Sequence, residues 1–264
     1  RSYKAPGNSL RLLETDDARG IVTIDEERDY HFRYVLEDNF GNKRSYRFTV
    51  SGKRQDIPAY EPQAKWVLHW NQTNVVQEPG MNLIVPKAMV YEDTELDTRV
   101  VSDSGNVSFD YVLDAGPAPL HGFCPLEIGV RRLPVADTTK YYIEQRVGKW
   151  KASVGGAYAN GWVKAIVRTL GTFSVQTDTV APRITPLGRS TWRTNRNIRF
   201  QVSDAQTGIA SYKVYVDGEF VLFGLKKGVL VIQDPERIKK GVAHRLEVVV
   251  KDGCGNEARE EYEF

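Results

Sequence analysis

The histidines are the side chains of this chain best suited to hold a catalytic metal, and their spacing argues against such a site. The four of them stand far apart, at His31, His69, His121 and His244. A catalytic zinc needs three converging ligands and an open position, and patterns such as His-x-His or His-Glu-x-x-His usually supply two of them. Neither pattern occurs here. We therefore predict no metal and no other cofactor in this chain, and a place on strand faces for the histidines.

Motifs for nucleophilic catalysis and phosphate binding are missing as well. The sequence has no Gly-x-Ser-x-Gly turn, and neither Cys124 nor Cys254 stands in the local motif of a thiol enzyme. Gly155 and Gly156 are not followed by a helical pattern, as a phosphate loop would be. The chain is therefore predicted not to be an enzyme. Two free thiols are the favoured interpretation of the cysteines, and a disulfide between them stays open because geometry decides it.

Four aspartates, Asp38, Asp204, Asp217 and Asp252, stand at the expected ends of strands. Such positions can hold calcium in β-sandwiches, and they can equally accept hydrogen bonds from the backbone of a turn. The sequence has no run of acids as dense as an EF-hand loop, so the turn interpretation is favoured.

The candidate binding surface consists of aromatic side chains in the middle of the chain. Trp66 and Trp70 share the parity of one predicted strand, and the irregular stretch 114–122 contains His121. Exposed tryptophans could stack on sugars, whereas buried ones would fill a core or a joint between domains. Solvent exposure decides between these uses. The residues of this candidate surface are Trp66, Trp70, His121, Trp150 and Trp162.

A repeated phrase indicates how the strands are connected. DNFGN at residues 38–42 and DGCGN at residues 252–256 each follow an alternating apolar run and precede another. Gly and Asn tolerate positive φ, and the Asp side chain can accept a hydrogen bond from the turn. Two copies so far apart predict equivalent closing hairpins of two similar domains. The residues expected to form the turns are Asp38, Gly41, Asn42, Asp252, Gly255 and Asn256.

Composition and the spacing of turn-forming residues predict an all-β fold of tandem immunoglobulin-like sandwiches. Charged residues make up 27% of the 264-residue chain, the formal net charge is +2, and the signs are interleaved, which predicts no nucleic-acid partner. No apolar stretch approaches the roughly 20 residues of a membrane span. Short Val-, Ile- and aromatic-rich runs separated by turn signals favour strands. The best helical segment, Asp234–Lys240, lasts one or two turns, with Asp234 as its cap.

Three domains are expected. Residues 1–55 are predicted to be the C-terminal part of an immunoglobulin-like domain, with strands at Leu10–Leu13 and Gly20–Ile24 before the hairpin, so that the chain begins inside a domain. Residues 60–177 are predicted to form a middle β-sandwich of seven strands. Residues 178–264 are predicted to form a C-terminal immunoglobulin-like domain. Polar, Pro-containing linkers separate the three segments.

Several motifs resemble the C-terminal β-sandwich region of secreted Gram-negative zinc peptidases of the lysostaphin type, the murein endopeptidase-like group. The resemblance runs in order across all three segments. The motifs that carry it are Asn8–Leu10, Gly20–Phe32, Leu36–Asn42, Gln77–Met81, Val85–Thr94, Pro119–Gly122, Lys140–Ile143, Gly155–Lys164, Leu170–Phe173 and Asp178–Pro186.

In that group a peptidase domain precedes several β-sandwich modules, and its zinc is held by a His, an Asp a few residues later and a His-x-His pair. No residues of this sequence match either half of that signature. The resemblance therefore implies that a catalytic domain and its zinc would lie upstream of Arg1. It also implies a cell-envelope setting, either periplasmic, outer-membrane-associated or extracellular, with peptidoglycan as the substrate of the parent protein.

The leading interpretation is a non-catalytic accessory tail of an exported peptidoglycan peptidase, which positions the enzyme or contacts the wall or another envelope protein. Its expected partners are the upstream peptidase domain and peptidoglycan or an envelope protein. The alternative is an independent carbohydrate-binding or adhesion module that uses the aromatic surface. An exposed tryptophan pair that binds glycan would separate the two.

Overall fold

A computed structural model describes residues 3–5, 8, 14–56, 58–59, 61–101, 107–116 and 120–264. Two compact units make up the chain, Arg1–Gln63 and Ala64–Phe264. The described residues lie almost entirely in antiparallel strands, turns and loops, which confirms the all-β fold. No helix in this described part is long and apolar enough to cross a membrane.

The first unit contains one described hairpin, formed by β1 (Asp29–Glu37) and β2 (Lys43–Ser51). The strand predicted at Gly20–Ile24 is wrong. Arg19 donates its backbone N–H to the Asp16 carbonyl, and Gly20 donates to the Asp16 carboxylate, so this segment enters a turn and has no ladder partner among the described residues. The strand predicted at Leu10–Leu13 lies outside the described residues.

The middle sandwich occupies the first part of the second unit. It has eleven strands in the described part of the chain, and the prediction of seven was wrong because several strands are short or polar on one face. They are β3 (Trp66–Leu68), β4 (Asn74–Glu78), β5 (Met81–Val85), β6 (Thr94–Val101), β7 (Asp110–Asp114), β8 (Cys124–Gly129), β9 (Tyr141–Val147), β10 (Trp150–Ser153), β11 (Ala157–Ala159), β12 (Trp162–Val167) and β13 (Gly171–Thr177).

These strands form two sheets that enclose one core. One sheet has the order β10-β9-β13-β7-β6-β3, and the other has the order β11-β12-β8-β5-β4. Alternate residues of their strands point inward, as in β5, where Met81, Leu83 and Val85 are fully buried. The turn between β4 and β5 packs on this core, because Tyr111 donates a hydrogen bond to the Pro79 carbonyl at 2.8 Å.

The C-terminal sandwich completes the second unit. Its strands are β14 (Arg183–Leu187), β15 (Arg199–Ser203), β16 (Ile209–Val216), β17 (Glu219–Val221), β18 (Phe223–Lys226), β19 (Val229–Ile232), β20 (Arg245–Asp252) and β21 (Glu257–Glu263). The two sheets have the orders β14-β15-β19-β18 and β17-β16-β20-β21. The hairpin predicted at Asp217–Gly218 is confirmed, since these two residues connect β16 to β17, both with positive φ.

Trp192 lies at the centre of the C-terminal core. It is fully buried and meets the rings of Phe200, Tyr262 and Phe264 edge-on, at centroid distances of 5.1, 5.9 and 5.8 Å. Helical structure among the described residues is limited to α1 (Trp192–Asn195) and to 3-10 turns at Thr138–Lys140, Arg189–Thr191 and Pro235–Arg237. The last of these stands where the sequence predicts a short helix, although the Asp234 side chain does not cap it.

The turn between β1 and β2 is built around the Asp38 carboxylate. This carboxylate accepts hydrogen bonds from the backbone N–H of Phe40 at 2.9 Å and of Asn42 at 3.0 Å, and from the Asn42 side-chain amide at 2.8 Å. The bonds from Asn42 and Phe40 hold the pKa of Asp38 below its usual value. Gly41 takes the left-handed conformation that the turn requires, with φ +81°.

The turn between β20 and β21 repeats these bonds. The Asp252 carboxylate accepts from the backbone N–H of Cys254 at 2.9 Å and of Asn256 at 2.8 Å, and from the Asn256 side-chain amide at 2.7 Å. Gly255 has φ +72°. The two phrases recognised in the sequence are therefore structurally equivalent turns, as predicted.

Replacing Gly255 with valine should lower the free energy of unfolding of the C-terminal sandwich by about 1–3 kcal/mol, because a branched residue is strained at positive φ. No heavy atom lies within 4 Å of an added Cβ, so backbone strain rather than collision is the cause. Urea denaturation measures the effect. Gly255→Asn is the control, since Asn tolerates this conformation. Equal losses in both variants would contradict the explanation.

Candidate functional site

The five residues of the predicted binding surface do not converge. Trp66 is on β3 and Trp150 on β10, which are the opposite edges of the six-stranded sheet, whereas Trp162 is on β12 in the other sheet. Trp70 lies beyond the end of β3 and packs against the core. His121 stacks on the ring of Tyr91 in a separate loop, with the centroids 5.2 Å apart.

Their exposure also differs. Trp66 and Trp70 are half-buried and pack on the middle core, and the indole N–H of Trp66 donates to Thr98 Oγ1 at 3.1 Å. Trp162 is half-buried. Trp150 is 59% exposed on the edge strand β10. Of the four tryptophans of this surface, Trp150 alone is exposed.

A cluster of polar contacts joins the two sandwiches of the second unit. On the side of the middle sandwich stand Lys140, in the 3-10 turn before β9, and Asp178, just after β13. On the C-terminal side stand the β20–β21 turn and Thr207, in the loop before β16. This region, defined by Lys140, Thr177, Asp178, Gln206, Thr207, Cys254 and Asn256, is called the joint below.

Cys254 and Lys140 form a reciprocal pair across the joint. The Lys140 ammonium donates to the Cys254 carbonyl at 3.0 Å, and the Cys254 thiol donates to the Lys140 carbonyl at 3.6 Å. Both cysteines of the chain are free and buried, and burial raises the pKa of each thiol to about 11. The disulfide left open by the sequence is therefore not formed, and Cys254 serves as a packing and hydrogen-bonding residue.

Asp178 and Asn256 add further bonds to the joint. Asp178 is fully buried, and its carboxylate accepts a hydrogen bond from Thr207 Oγ1 at 2.7 Å. The Asn256 side-chain amide donates to the Asp178 carbonyl at 3.0 Å, and Gln206 donates to the Thr177 carbonyl at 3.1 Å. Charge-assisted and buried bonds of this kind fix the relative position of two domains.

The same region contains a group of three carboxylates. Oxygens of Asp178, Asp204 and Asp252 lie within 4.8 Å of one another. Carboxylates at this spacing are chemically suited to a divalent cation. Hydrogen bonds already engage all three, and the Asp204 carboxylate accepts the backbone N–H groups of residues 206, 207 and 208 at 2.8–2.9 Å. The backbone hydrogen bonds of Asp204 and Asp252 are those that the turn interpretation of these two residues predicts.

A polar groove runs beside the joint on the outer face of the six-stranded sheet. It has a volume of about 510 Å³ and is lined by Tyr142, Glu144, Arg146 and Lys151 together with Gln206 of the C-terminal sandwich. Arg146 forms an ion pair at 2.5 Å with the carboxylate of Asp110, and this contact raises the Arg146 pKa. Burial raises the pKa of Tyr142 to about 12. The charged side chains that line the groove are Glu144, Arg146 and Lys151, and Glu144 lies 3.7 Å from each of the two cations.

His244 stands beside a second cleft, at the end of β20 opposite to Asp252. The cleft has a volume of about 370 Å³ and is lined in part by Phe220, Val242 and Asp217. His244 Nδ1 lies 2.7 Å from the Asp217 carboxylate, and Nε2 lies 2.8 Å from the Lys239 carbonyl. Both neighbours are acceptors only, so the imidazole must carry a proton on each nitrogen to satisfy them.

The pKa of His244 is raised and the pKa of Asp217 is lowered by their contact. Burial opposes the charge of His244, but the hydrogen bonds to Asp217 and to the Lys239 carbonyl outweigh it, and the pKa of His244 is raised. The hydrogen bond from His244, followed by the bond from the backbone N–H of Arg245, lowers the pKa of Asp217. The other three histidines lie in separate places on the chain, where His31 contacts Thr49 and His69 contacts Asp93.

Comparison with known protein families adds one finding. Residues 65–178 match the family model described as a Zu5-like domain. The match covers the middle sandwich and ends at Asp178, which belongs to the joint. No curated protein matches this chain.

Replacing Lys140 with methionine should loosen the joint, because it removes a charge-assisted bond to the Cys254 carbonyl and leaves the β20–β21 turn intact. A bond of this kind contributes about 1.5–3 kcal/mol, so the labelling rate of the Cys254 thiol should rise about tenfold or more. Mass spectrometry after maleimide treatment measures it.

The control for this variant is Lys149→Met, which changes an exposed lysine in the β9–β10 turn. Cys124 in the middle core is an internal reference, because its labelling should not change in either variant. A Cys254 rate that is the same in both variants would contradict the assignment of Lys140 to the joint.

The His244–Asp217 pair should make the stability of the C-terminal sandwich depend on pH. The raised pKa of His244 stabilises the fold below its unfolded value of 6.5, and this contribution is lost as the pH rises through the folded value. The lowered pKa of Asp217 stabilises the fold above 3.8 and is lost as the pH falls through its folded value. The pair therefore contributes most between these two values.

His244→Gln should abolish the decline above pH 6.5 and lower stability at pH 6 by about 1–2 kcal/mol, because it removes a charged hydrogen bond. Urea denaturation from pH 5 to pH 9 measures both effects, with His121→Gln as the control. A profile for His244→Gln parallel to that of the unmodified chain would rule out the pair as the cause.

Proposed function

We propose that this chain is a non-catalytic accessory region of an exported peptidoglycan peptidase, and that its sandwiches hold the enzyme at a fixed position relative to its substrate. The motif resemblance to the C-terminal region of lysostaphin-type peptidases supplies the setting. In this proposal the peptidase domain and its zinc belong to another part of the parent protein. The partners of the chain are that domain and peptidoglycan or another envelope protein.

The observation that best supports a positioning role is the joint. Flexible linkers connect domains that move independently. Here the half-buried Lys140 and the buried Asp178 and Asn256 bridge the two sandwiches. A pair of domains fixed in this way transmits an orientation from one end to the other. That property is useful for presenting an enzyme to an extended polymer.

The arrangement of potential catalytic groups supports an accessory role. In the described part of the chain, the group of three close metal-ligating side chains consists of aspartates engaged in turns and contains no histidine. The buried thiols have pKa values of about 11, which disfavours a thiolate nucleophile. His244 is engaged on both ring nitrogens.

A carbohydrate-binding module is the second candidate, and the exposure of Trp150 favours it. An indole with 59% of its surface exposed, on an edge strand, can stack on a sugar ring. Lys151, the next residue of the same strand, lines the polar groove. A single open tryptophan gives a smaller platform than the pair that the sequence predicts.

The purified chain should neither cleave peptidoglycan nor contain stoichiometric zinc, because the histidines and acids that the structure describes do not form a zinc site. Metal analysis and incubation with purified sacculi measure this. About one zinc per chain together with release of peptidoglycan fragments would refute the accessory role.

The positioning role itself is tested in the natural polypeptide that carries this chain. Lys140→Met should change the rate of hydrolysis of intact sacculi and leave the hydrolysis of a short soluble peptide unchanged. Lys149→Met is the matched control. Equal rates on sacculi for both variants would contradict positioning. Retention of the purified chain on sacculi that is lost in Trp150→Ala would establish the carbohydrate-binding alternative instead.

A further inference from the structure

The β1–β2 hairpin has one mainly aromatic face that, beyond the buried Tyr30, is half-buried or exposed. Across the hairpin, Phe32 is paired with Phe48, and Tyr34 is paired with Tyr46. The rings of Phe32 and Phe48 stack at 4.9 Å, and Tyr34 and Tyr46 both lie within 6.0 Å of Phe48. Tyr46 is 66% exposed, and Leu36 on the same face is 71% exposed. An exposed apolar patch of this kind often marks an interaction site on a soluble protein.

The opposite face of the hairpin is polar. It carries Arg33 paired with Arg47, His31 paired with Thr49, and the ion pair between Glu37 and Lys43 at 3.2 Å. Alternation of this kind, interrupted by Val35 on the polar face and by Arg44 on the aromatic face, is the pattern of a sheet with one solvated face and one buried face. A two-stranded hairpin is marginal without such burial. The alternation of side chains in the hairpin therefore indicates that its aromatic face packs against a partner.

The C-terminal sandwich shows what covers an equivalent face. Counting back six residues from each turn aspartate and forward six from each turn asparagine, Phe32 and Phe48 correspond to Leu246 and Tyr262, which are also paired. Leu246 and Tyr262 are buried in the C-terminal core. That core is closed by the β14-β15-β19-β18 sheet, whose inward residues include Phe200, Leu230 and Phe223.

The turn of the hairpin gives the same comparison. Phe40 occupies the position in its turn that Cys254 occupies in the other, and each donates its backbone N–H to the turn aspartate. Cys254 is buried in the joint, whereas Phe40 is 91% exposed. The first hairpin therefore repeats the second one in its turn and its pairing register, and differs in what covers it.

We propose that the aromatic face of the β1–β2 hairpin is half of a β-sandwich core, and that its occupant is a second β-sheet supplied by the same polypeptide. This sheet has the character of the β14-β15-β19-β18 sheet, with large uncharged side chains at alternate positions. An apolar sheet matches this face because the face carries Tyr34, Tyr46 and Phe48, with Arg44 at its turn end as its one charged side chain.

The size of the aromatic face favours a sheet of the same polypeptide, rather than a second copy of the chain, as its occupant. Two nine-residue strands, at about 3.3 Å per residue and about 4.8 Å apart, present a face of roughly 300 Å². A stable association of separate chains buries about 800 Å² on each partner. A sheet within the same polypeptide does not lose the freedom of a separate molecule, so a small face is sufficient.

The test compares two cysteine variants of the natural polypeptide, Phe48→Cys on the aromatic face and Arg47→Cys on the polar face. Both are next to each other on β2, and the native Cys124 and Cys254 are buried. The cysteine at residue 48 should react with maleimide at least about tenfold more slowly than the one at residue 47. In the unmodified polypeptide, the backbone amides of residues 30–50 should also exchange slowly with solvent.

Equal labelling rates together with fast amide exchange would overturn the proposal, because the face would then be open. Protection of residue 48 that rises with protein concentration, with a dimer in sedimentation, would also overturn it in favour of a second copy. If Phe48→Cys does not fold, Tyr34→Cys against Arg33→Cys is the second pair on β1, and the exchange measurement needs no variant. Loss of the accessory function leaves these outcomes unchanged, since the test contains no activity.

Discussion

The carboxylate of Asp252 is the group on which the relative placement of the two sandwiches depends. By accepting the backbone N–H groups of Cys254 and Asn256, it fixes the β20–β21 turn in one conformation. That conformation turns the Cys254 carbonyl toward Lys140 and leaves the Asn256 amide one hydrogen for Asp178. A local turn motif thus becomes a contact between domains. The strands of the C-terminal sandwich support the turn. The turn in turn fixes the position of the middle sandwich relative to the C-terminal one.

Local rules were sufficient to predict the turns and the fold class. Asp, Gly and Asn at fixed spacing specified both equivalent turns, and alternation specified strands such as β20. Two kinds of error remained. The apolar segment Gly20–Ile24 resembles a strand but has no partner in the described ladder, and pairing cannot be read from one segment. Conversely, β6 has little apolar alternation for the sequence to show, because Leu96 is its one fully buried apolar residue.

The joint could not be predicted because its partners are distant in sequence. Lys140 and Cys254 are 114 residues apart, and neither has an unusual neighbour that indicates the contact. The predicted aromatic surface does not form for a related reason. Trp66 and Trp150 are members of one sheet, but the strand order places them at opposite edges. Sequence parity predicts which face of a strand a residue occupies, whereas topology decides which strands are neighbours.

The edge strands of the second unit have a consequence for folding of the tandem. β3, β11 and β17 are three residues long, β14 contains Pro186, and β21 alternates charged residues along its outer side. Short, proline-containing and charged edges are poor templates for pairing with a foreign strand. Neighbouring sandwiches in one chain are present at high local concentration, where exchange of strands between them is the main route to misfolding. Edges of this kind let each sandwich close on itself while its neighbour is still unfolded.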